Sequence, residues 1–470
     1  MSTMTPDSHA TAAATPTASD TRDAPPALLL RASWGAGGLG TTSMLYLINM
    51  YVLYFLVQHV GISAALAGAL LASTRVYDAI IDPLIGTLSD RSQHRWGRRR
   101  PWMLAGAILC PLACIAVFNP PALEPGYGLY AAVLASLLLY CTAYSLFAIP
   151  YVAQGAEMTD DYAARASLMA WRTFFVYASG IVITAGAPAL IAALGKDREA
   201  YSTMSFAAAA VVGAAMLWVV VFTRGARTME RSSKTLPPLA QLRTVVSNRP
   251  FVIILLTKMT VQLGTAFIGA SLLFFMSEVL LRGESAMALL GLVSNLVGIG
   301  AVVVWNRVLR SVERRTLNIA LFFAQAITYS SWALATPAEP QWVFVLRAFM
   351  IGALGSGGVL VTMAMLADTI EYDRLTTGQR REGLFVGAFE LMQTTSFVLA
   401  PLLVGVALSA AGLVPGAAGR GAQPESALQV MRYTVSVVPA MCSLIGIVLM
   451  LLYKLDAPTL ARLRANAPPS

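Results

Sequence analysis

About twelve stretches of this chain are apolar over the roughly 20 residues that an α-helix needs to cross a bilayer. They run over about 35–58, 64–88, 102–118, 128–153, 168–194, 202–223, 251–276, 286–306, 316–335, 341–366, 384–412 and 432–453. Hydrocarbon offers no water to backbone amides, so segments of this kind are expected to form helices packed on one another: an all-α integral membrane fold. Composition agrees. Of 470 residues, 57% are hydrophobic and 12% charged, where a soluble domain is nearer a quarter charged. Residues 1 to about 26 are rich in Ser, Thr, Ala, Pro and Asp and lack the apolar centre of a signal peptide, so a disordered tail is expected over 1–30.

The net charge of +9 does not point to nucleic acid, because the basic residues sit in short loops between apolar runs. They are read as topology signals and contacts for lipid headgroups. Arg91, Arg95, Arg98, Arg99 and Arg100 fill one loop; Arg224, Arg227, Arg231, Lys234, Arg243 and Arg249 fill another; Arg307, Arg310, Arg314 and Arg315 a third. The loops 119–128 and 336–341 hold no Lys or Arg, while Lys196 and Arg198 stand beside Asp197 and Glu199. With twelve spans this balance places both termini in the cytoplasm of a multi-pass cell-membrane protein. The charged connection 224–249, with Pro237-Pro238, reads as a linker between six-helix halves at 31–223 and 250–456, followed by a cytoplasmic tail at 457–470. Cys110, Cys114, Cys141 and Cys442 lie inside apolar runs without metal spacing, and three histidines leave little material for a metal cage.

Within the second run stands Arg75-Val76-Tyr77-Asp78-Ala79-Ile80-Ile81-Asp82-Pro83. Asp78 and Asp82 share a helix face with β-carbons about 6 Å apart. Each acid at membrane depth costs about 3 kcal/mol, and two bare carboxylates at this spacing repel by roughly 3 kcal/mol at an effective dielectric of about 20. The pair therefore calls for a proton or a metal cation, with Arg75 offsetting part of the charge. A purely structural ion pair with Arg75 is the plainer alternative; intramembrane acids are functional by default.

Asp90-Arg91 leads into Trp96-Gly97-Arg98-Arg99-Arg100-Pro101-Trp102, where an acid at a helix end and an Arg cluster can latch neighbouring helices. Ala156-Glu157-Met158-Thr159-Asp160-Asp161-Tyr162 with Arg165 follows the fourth run. Ala367-Asp368-Thr369-Ile370-Glu371-Tyr372-Asp373-Arg374 follows the tenth, an echo six helices later of the kind alternating-access carriers contain.

Arg75-x-x-Asp78-Ala79-x-x-Asp82-Pro83-x-x-Gly86, then Asp90-Arg91, then Arg95-Trp96-Gly97-Arg98-x-Arg100-Pro101-Trp102, resembles the glycoside–pentoside–hexuronide:cation symporters of the major facilitator superfamily, the melibiose-permease-like carriers. Ile149-Pro150-Tyr151 with Glu157, Arg165 and Arg172 is similar to that family's fourth-to-fifth helix segment. Asp368-x-x-Glu371-Tyr372-Asp373 with Gly378, Arg380, Glu382 and Gly383 is similar to its tenth-to-eleventh. The resemblance spans about Ser33 to Leu455. It implies two six-helix bundles of the major facilitator fold. It also implies a coupling cation at Asp78 and Asp82 near Tyr144 and Ser145, and a sugar-contacting Arg172. Departures from the galactoside carriers accompany it: Ala148 replaces an acid, Thr42 the first-helix acid, Val152 the stacking aromatic and Thr394 the eleventh-helix lysine. The cation pair is kept and the galactoside grip is mostly replaced, and with fewer charged ligands proton coupling gains on sodium, which needs several oxygens.

The remaining polar residues divide between two readings. Glu390, with Gln393 and Thr394 on its face, is a substrate or proton ligand or else an ion-pair partner of Arg172, Lys258 or Arg347. Lys258 reads more readily as a snorkelling side chain. Thr42, Asn49, Gln262 and Asn295 can meet substrate hydroxyls or tie helices together, and Gly352, Gly355, Gly357 and Gly358 read as packing or hinge material. The expectation is a symporter of a sugar, glycoside or similar polyhydroxylated solute, coupled to protons or sodium and without a cofactor. Asp78, Asp82, Tyr144 and Ser145 are its cation residues, with Asp78 and Asp82 as metal ligands if the ion is sodium. Arg172, Thr42, Glu390, Gln393 and Thr394 are its substrate residues. Arg75, Asp90, Arg91, Gly97, Arg98, Arg100, Glu157, Arg165, Asp368, Glu371 and Arg380 are its latch. No enzymatic chemistry and no nucleic acid are expected; the partners are the solute and membrane lipid, and the carrier is a monomer. The alternatives are an exporter of an amphipathic or lipid-like solute, and a membrane sensor or assembly factor that transports nothing.

Overall fold

The computed structural model describes residues 27–159, 161–225, 246–379, 381–416, 423–455 and 457–466. Among the described residues, twelve helices are long and apolar enough to span a membrane: α1 Leu28–Gln58, α2 Ala64–Arg91, α3 Arg100–Phe118, α4 Tyr127–Glu157, α5 Ala163–Leu194, α6 Arg198–Phe222, α7 Arg249–Val279, α8 Gly283–Val308, α9 Arg314–Leu334, α10 Gln341–Thr377, α11 Glu382–Ala410 and α12 Glu425–Leu452. All twelve expected runs are helices, and most extend past their apolar ends into the charged loops. The first begins at Leu28, so the expected tail over 1–30 is too long by the turn that Leu28, Leu29 and Leu30 supply. The expected tail at 457–470 likewise contains a short helix, α13 Ala457–Asn466. Most of the expected linker, 226–245, lies outside the described residues.

Helices α1–α6 and α7–α12 form two bundles, and the core shows how they meet. One buried cluster runs through the first bundle and continues into the second through Leu272, Phe274, Phe275, Trp332, Phe344, Ala400 and Val404. These second-bundle members lie toward the end of the molecule away from the termini, here the far face. A separate cluster of Phe251, Leu321, Val361, Phe385 and Phe389 fills the termini half of the second bundle alone. The bundles are thus joined at the far face and separate core from core at the termini face.

Small residues make the joint. A Cβ on Gly405 in α11 would overlap the Ala64 carbonyl of α2, and one on Gly68 the Pro401 carbonyl. Gly291 of α8 bears in the same way on Thr184 of α5. Asn295 donates to Thr184 Oγ1 at 2.9 Å, so it ties the bundles together and does not wait for a solute. A π-helical turn interrupts α1 at Ile48–Val52, α5 at Ile181–Gly186 and α7 at Phe275–Val279. All three lie on helices that cross to the other bundle, where an extra residue per turn re-aims a side-chain row. Gly352 and Gly357 of α10 press on Ser294 and Trp305, so they serve packing, as expected.

Candidate functional site

The acid pair lies in α2 on the side that faces α4. Ser145 donates to Asp82 Oδ1 at 2.5 Å, and the hydroxyls of Tyr77 and Thr142 meet at 2.8 Å, so two side-chain links fix α4 beside the acids. Arg75 Nη1 stands 3.2 Å from Asp78 Oδ2. Among the described residues Asp82 has no such ion pair. The two carboxylates are therefore unequal: Asp78 is compensated by an arginine one turn away, and Asp82 holds only a hydroxyl. Pro83 removes the amide that would bond the Ala79 carbonyl, leaving one more oxygen within a turn of both acids. Tyr144, a half-buried neighbour of Ser145, lies in the field of Arg172, Arg75 and Asp82. All four cation residues expected from the sequence come together on one wall of the first bundle.

Arg172 rises from α5 against α1, where its Cγ would lie 3.1 Å from a Cβ on Gly38. Its Nε and the hydroxyl of buried Tyr151 are both enclosed without a hydrogen-bond partner, and the two groups face each other. Thr42 is half-buried one turn along α1 from Gly38. In the second bundle Lys258 of α7 reaches Gln262 Oε1 at 3.2 Å and lies 4.9 Å from the centre of the Phe389 ring. Glu390 is exposed and in the field of Lys258, but among the described residues it forms no ion pair. Of the other partners expected for it, Arg347 is held by both oxygens of Glu339, at 2.8 and 2.7 Å. Thr394 donates to the Glu390 carbonyl at 3.2 Å, which leaves its oxygen to accept, and Gln393 is half-buried beside it. Counting 1.5 Å per residue from the termini ends of their helices, Asp82, Arg172, Lys258 and Glu390 lie at depths of about 12–15 Å and Asp78 and Tyr144 at about 20 Å. Asp82, Arg172, Lys258 and Glu390, drawn from both bundles, thus share one layer, with Asp78 and Tyr144 about a turn deeper.

The expected latch is built differently from its reading. Glu157 takes Arg98 and Arg99 at 2.6 Å each, and Arg99 also reaches Asp90 at 3.0 Å. Arg99, which the motif reading passed over, is the centre of the cluster. Arg100 instead donates to the Val220 carbonyl at 2.8 Å, Arg91 is exposed, and Gly97 makes the turn with φ +94°. Arg165 caps the Thr159 carbonyl at 3.2 Å. In the second half Asp368 pairs with Arg314, also missed, and Glu371 with Arg374 at 3.5 Å; Arg380 lies outside the described residues. Each of these contacts lies within one bundle, the Glu371–Arg374 pair within α10 alone, and Arg75 serves Asp78.

Polar contacts between the bundles add to the apolar joint at the far face, and the sequence reading left them out. Gln58 Nε2 reaches Glu278 Oε1 at 3.4 Å, Tyr201 reaches Glu284 Oε1 at 3.4 Å, and Lys196 Nζ stands 3.7 Å from Glu284 Oε2. Glu278 and Glu284 are 6% and 3% exposed, and each of these second-bundle acids meets a first-bundle group. The His59 ring lies 4.5 Å from that of Tyr201, tilted by 43°, and burial lowers its pKa to about 4, which keeps the ring neutral in this seal. The available signal was the pair of acids flanking Leu281-Arg282-Gly283, a loop too short to be read as more than a turn.

The family described as MFS/sugar transport protein matches residues 33–457. An uncharacterized symporter of Synechocystis is 25% identical over 90% of this chain and 93% of its own. A putative glycoside/cation symporter of Escherichia coli, YagG, is 28% identical over 89% and 90%. Among solved structures, the inward-open xylose transporter XylE from E. coli covers 94% of this chain and 99% of its own with a TM-score of 0.58 at 12% identity, a likeness of fold alone.

Proposed function

The chain belongs to the MFS/sugar transport protein family, a family of membrane carriers and not of enzymes, and from that premise we propose that it is a cation-coupled symporter of a sugar, glycoside or similar polyhydroxylated solute. The observation that carries the coupling is Asp82: a carboxylate at membrane depth, hydrogen-bonded by Ser145, with no ion pair among the described residues. An acid so placed is stable when a proton or sodium ion joins it. The name of a similar protein, a putative glycoside/cation symporter, supports the same reading.

The mechanism follows from where the charges lie. In this reading the termini face is cytoplasmic, the membrane is the cell membrane, and the conformation is open to the cytoplasm. The cation enters from the far side when the seal is open, occupies Asp82, and removes the uncompensated charge from the layer. Arg172, Tyr144 and Thr42 meet solute hydroxyls from the first bundle, and the Gln393–Thr394 face meets them from the second. With the acid neutralised the bundles rock, and the far-face glycines close on one another. The test is solute uptake into right-side-out vesicles under imposed sodium or proton gradients. Asp82→Asn is expected to lower gradient-driven accumulation at least about tenfold while leaving exchange at equal concentrations in place. Unchanged accumulation by that variant would remove the coupling assignment.

A further inference from the structure

A guanidinium grips a hydroxylated solute well when its plane is already fixed, because a long side chain that must be ordered on binding gives up affinity. Arg172 is half-buried, so part of its side chain remains accessible, while its Nε is enclosed without a hydrogen-bond partner. The Tyr151 hydroxyl is enclosed and unpartnered too, and it faces Arg172. Tyr151 itself is 0% exposed, so it reaches a solute through another residue or not at all.

Both side chains converge on two glycines of α1. A Cβ on Gly37 would lie 2.4 Å from Tyr151 Cε2 and 2.6 Å from its Cζ, and one on Gly38 would lie 3.1 Å from Arg172 Cγ. Two adjacent positions without side chains thus let the phenol and the arginine stem come together over α1. The phenol is also clamped. Trp34 stacks on its ring at 4.8 Å with 22° between the planes, and donates its indole N–H to the Tyr151 carbonyl at 3.2 Å. Phe147, one turn earlier on α4, stacks on the ring at 5.6 Å. A ring held by Trp34, Phe147 and the bare backbone of Gly37 presents its hydroxyl in one place. Pairing the two enclosed polar atoms with each other removes both unmet demands.

We infer that Tyr151 is a positioning residue: its hydroxyl accepts the Nε–H of Arg172, fixes the guanidinium plane, and leaves both Nη groups as a fork for solute hydroxyls. This rests on the carrier reading above and adds a residue that acts on the cargo without touching it. Phenylalanine would fill the same clamp and leave the guanidinium unheld.

Two measurements on the full chain test this. In liposomes, uptake of methyl β-D-glucoside and of D-xylose is followed under imposed sodium or proton gradients. Tyr151→Phe is expected to raise KM about three- to tenfold, the scale of one unordered long side chain, and to leave the maximal rate and the half-saturating cation in place. In a chain carrying Arg172→Lys, which has no Nε–H, adding Tyr151→Phe should leave KM unchanged. In detergent, with 15N-labelled arginine, the Nε–H resonance of Arg172 is assigned by its loss in Arg172→Lys. Its exchange with water should be about tenfold faster in Tyr151→Phe, the scale of one hydrogen bond. This second measurement needs no solute and decides alone where Arg172→Lys is inactive. Three results overturn the inference: an unchanged KM in Tyr151→Phe, unchanged Nε–H exchange, or a rise in KM that persists in the Arg172→Lys chain, which would make Tyr151 a packing residue. Uptake by the parent chain with an unchanged KM in Tyr151→Phe retains the carrier and removes the positioning role. Uptake of neither probe by the parent chain removes the sugar reading, and the positioning role falls with it.

Discussion

Ser145 decides how the uncompensated acid of α2 meets its ion, and its substitution separates the two candidate ions by sign. Its hydroxyl donates to the charged form of Asp82 at 2.5 Å, so it competes with a proton for that oxygen. It would, however, stand beside a sodium ion as a further oxygen ligand. Hydrogen bonds to charged groups are worth about 1.5–3 kcal/mol, roughly one to two pH units or ten- to a hundredfold in ion affinity. If the proton couples, Ser145→Ala moves half-maximal uptake about one unit toward higher pH, because protonated Asp82 no longer forfeits that bond. If sodium couples, the same variant raises half-saturating sodium about tenfold. An unchanged pH profile together with an unchanged sodium requirement would show that the hydroxyl only fixes α4. The residues of this wall were legible because an acid in an apolar run has few permitted environments. The surroundings of Lys258 were not, since a lysine on an apolar helix can face water or its neighbours, and only the structure sets it beside Gln262 and the Phe389 ring.

At the scale of elements, the echo between the two halves becomes a shared construction. The acid ending α4, Glu157, takes arginines that precede α3; the acid near the end of α10, Asp368, takes the arginine that opens α9. The third and fourth helices of each half are pinned at the termini face by the same device. The sequence displayed the acids in register, but it could not say which of several adjacent arginines answers each. In a run of three, the bend that leads into α3 selects Arg99, whose side chain is turned inward at 10% exposure against 27% for Arg98. Arg99→Gln removes a buried partner from Glu157 and Asp90 together and is expected to cost about 3 kcal/mol or more. Arg98→Gln is expected to cost about 1 kcal/mol or less, as a more exposed pair does. Thermal unfolding of the two variants in detergent ranks them, and Glu157→Gln added to Arg99→Gln should recover part of the loss. Equal destabilisation by the two arginine variants would show that the cluster has no centre.

The whole molecule is held in one conformation by the far face, and this is where sequence reasoning reached least. Twelve apolar runs fix the number of spans and their alternation. Which ends of two bundles touch depends on contacts between residues hundreds of positions apart, and those contacts are made by glycines that look like ordinary membrane-helix composition. Two glycine seams help close the far face, α2 against α11 at Gly68 and Gly405, and α5 against α8 at Gly291. If the bundles move as rigid bodies, strain introduced at one seam must open the other. Gly291→Val drives a branched side chain onto the Thr184 carbonyl, and overpacking of this kind costs about 1–3 kcal/mol, a shift of roughly five- to 150-fold in a two-state equilibrium. The reporter belongs at the other seam: Ala64→Cys, buried at 2% exposure, in a chain whose four native cysteines are all buried. A membrane-impermeant maleimide applied to the far face should label that cysteine at least about fivefold faster when Gly291→Val is present. Uptake driven by an ion gradient should fall in parallel, because a carrier that cannot seal this face cannot hold its cargo against the gradient. Faster labelling confined to a cysteine placed on α8 itself, with Ala64→Cys unaffected, would mean that the seams open independently and that rocking of whole bundles is the wrong description of the motion.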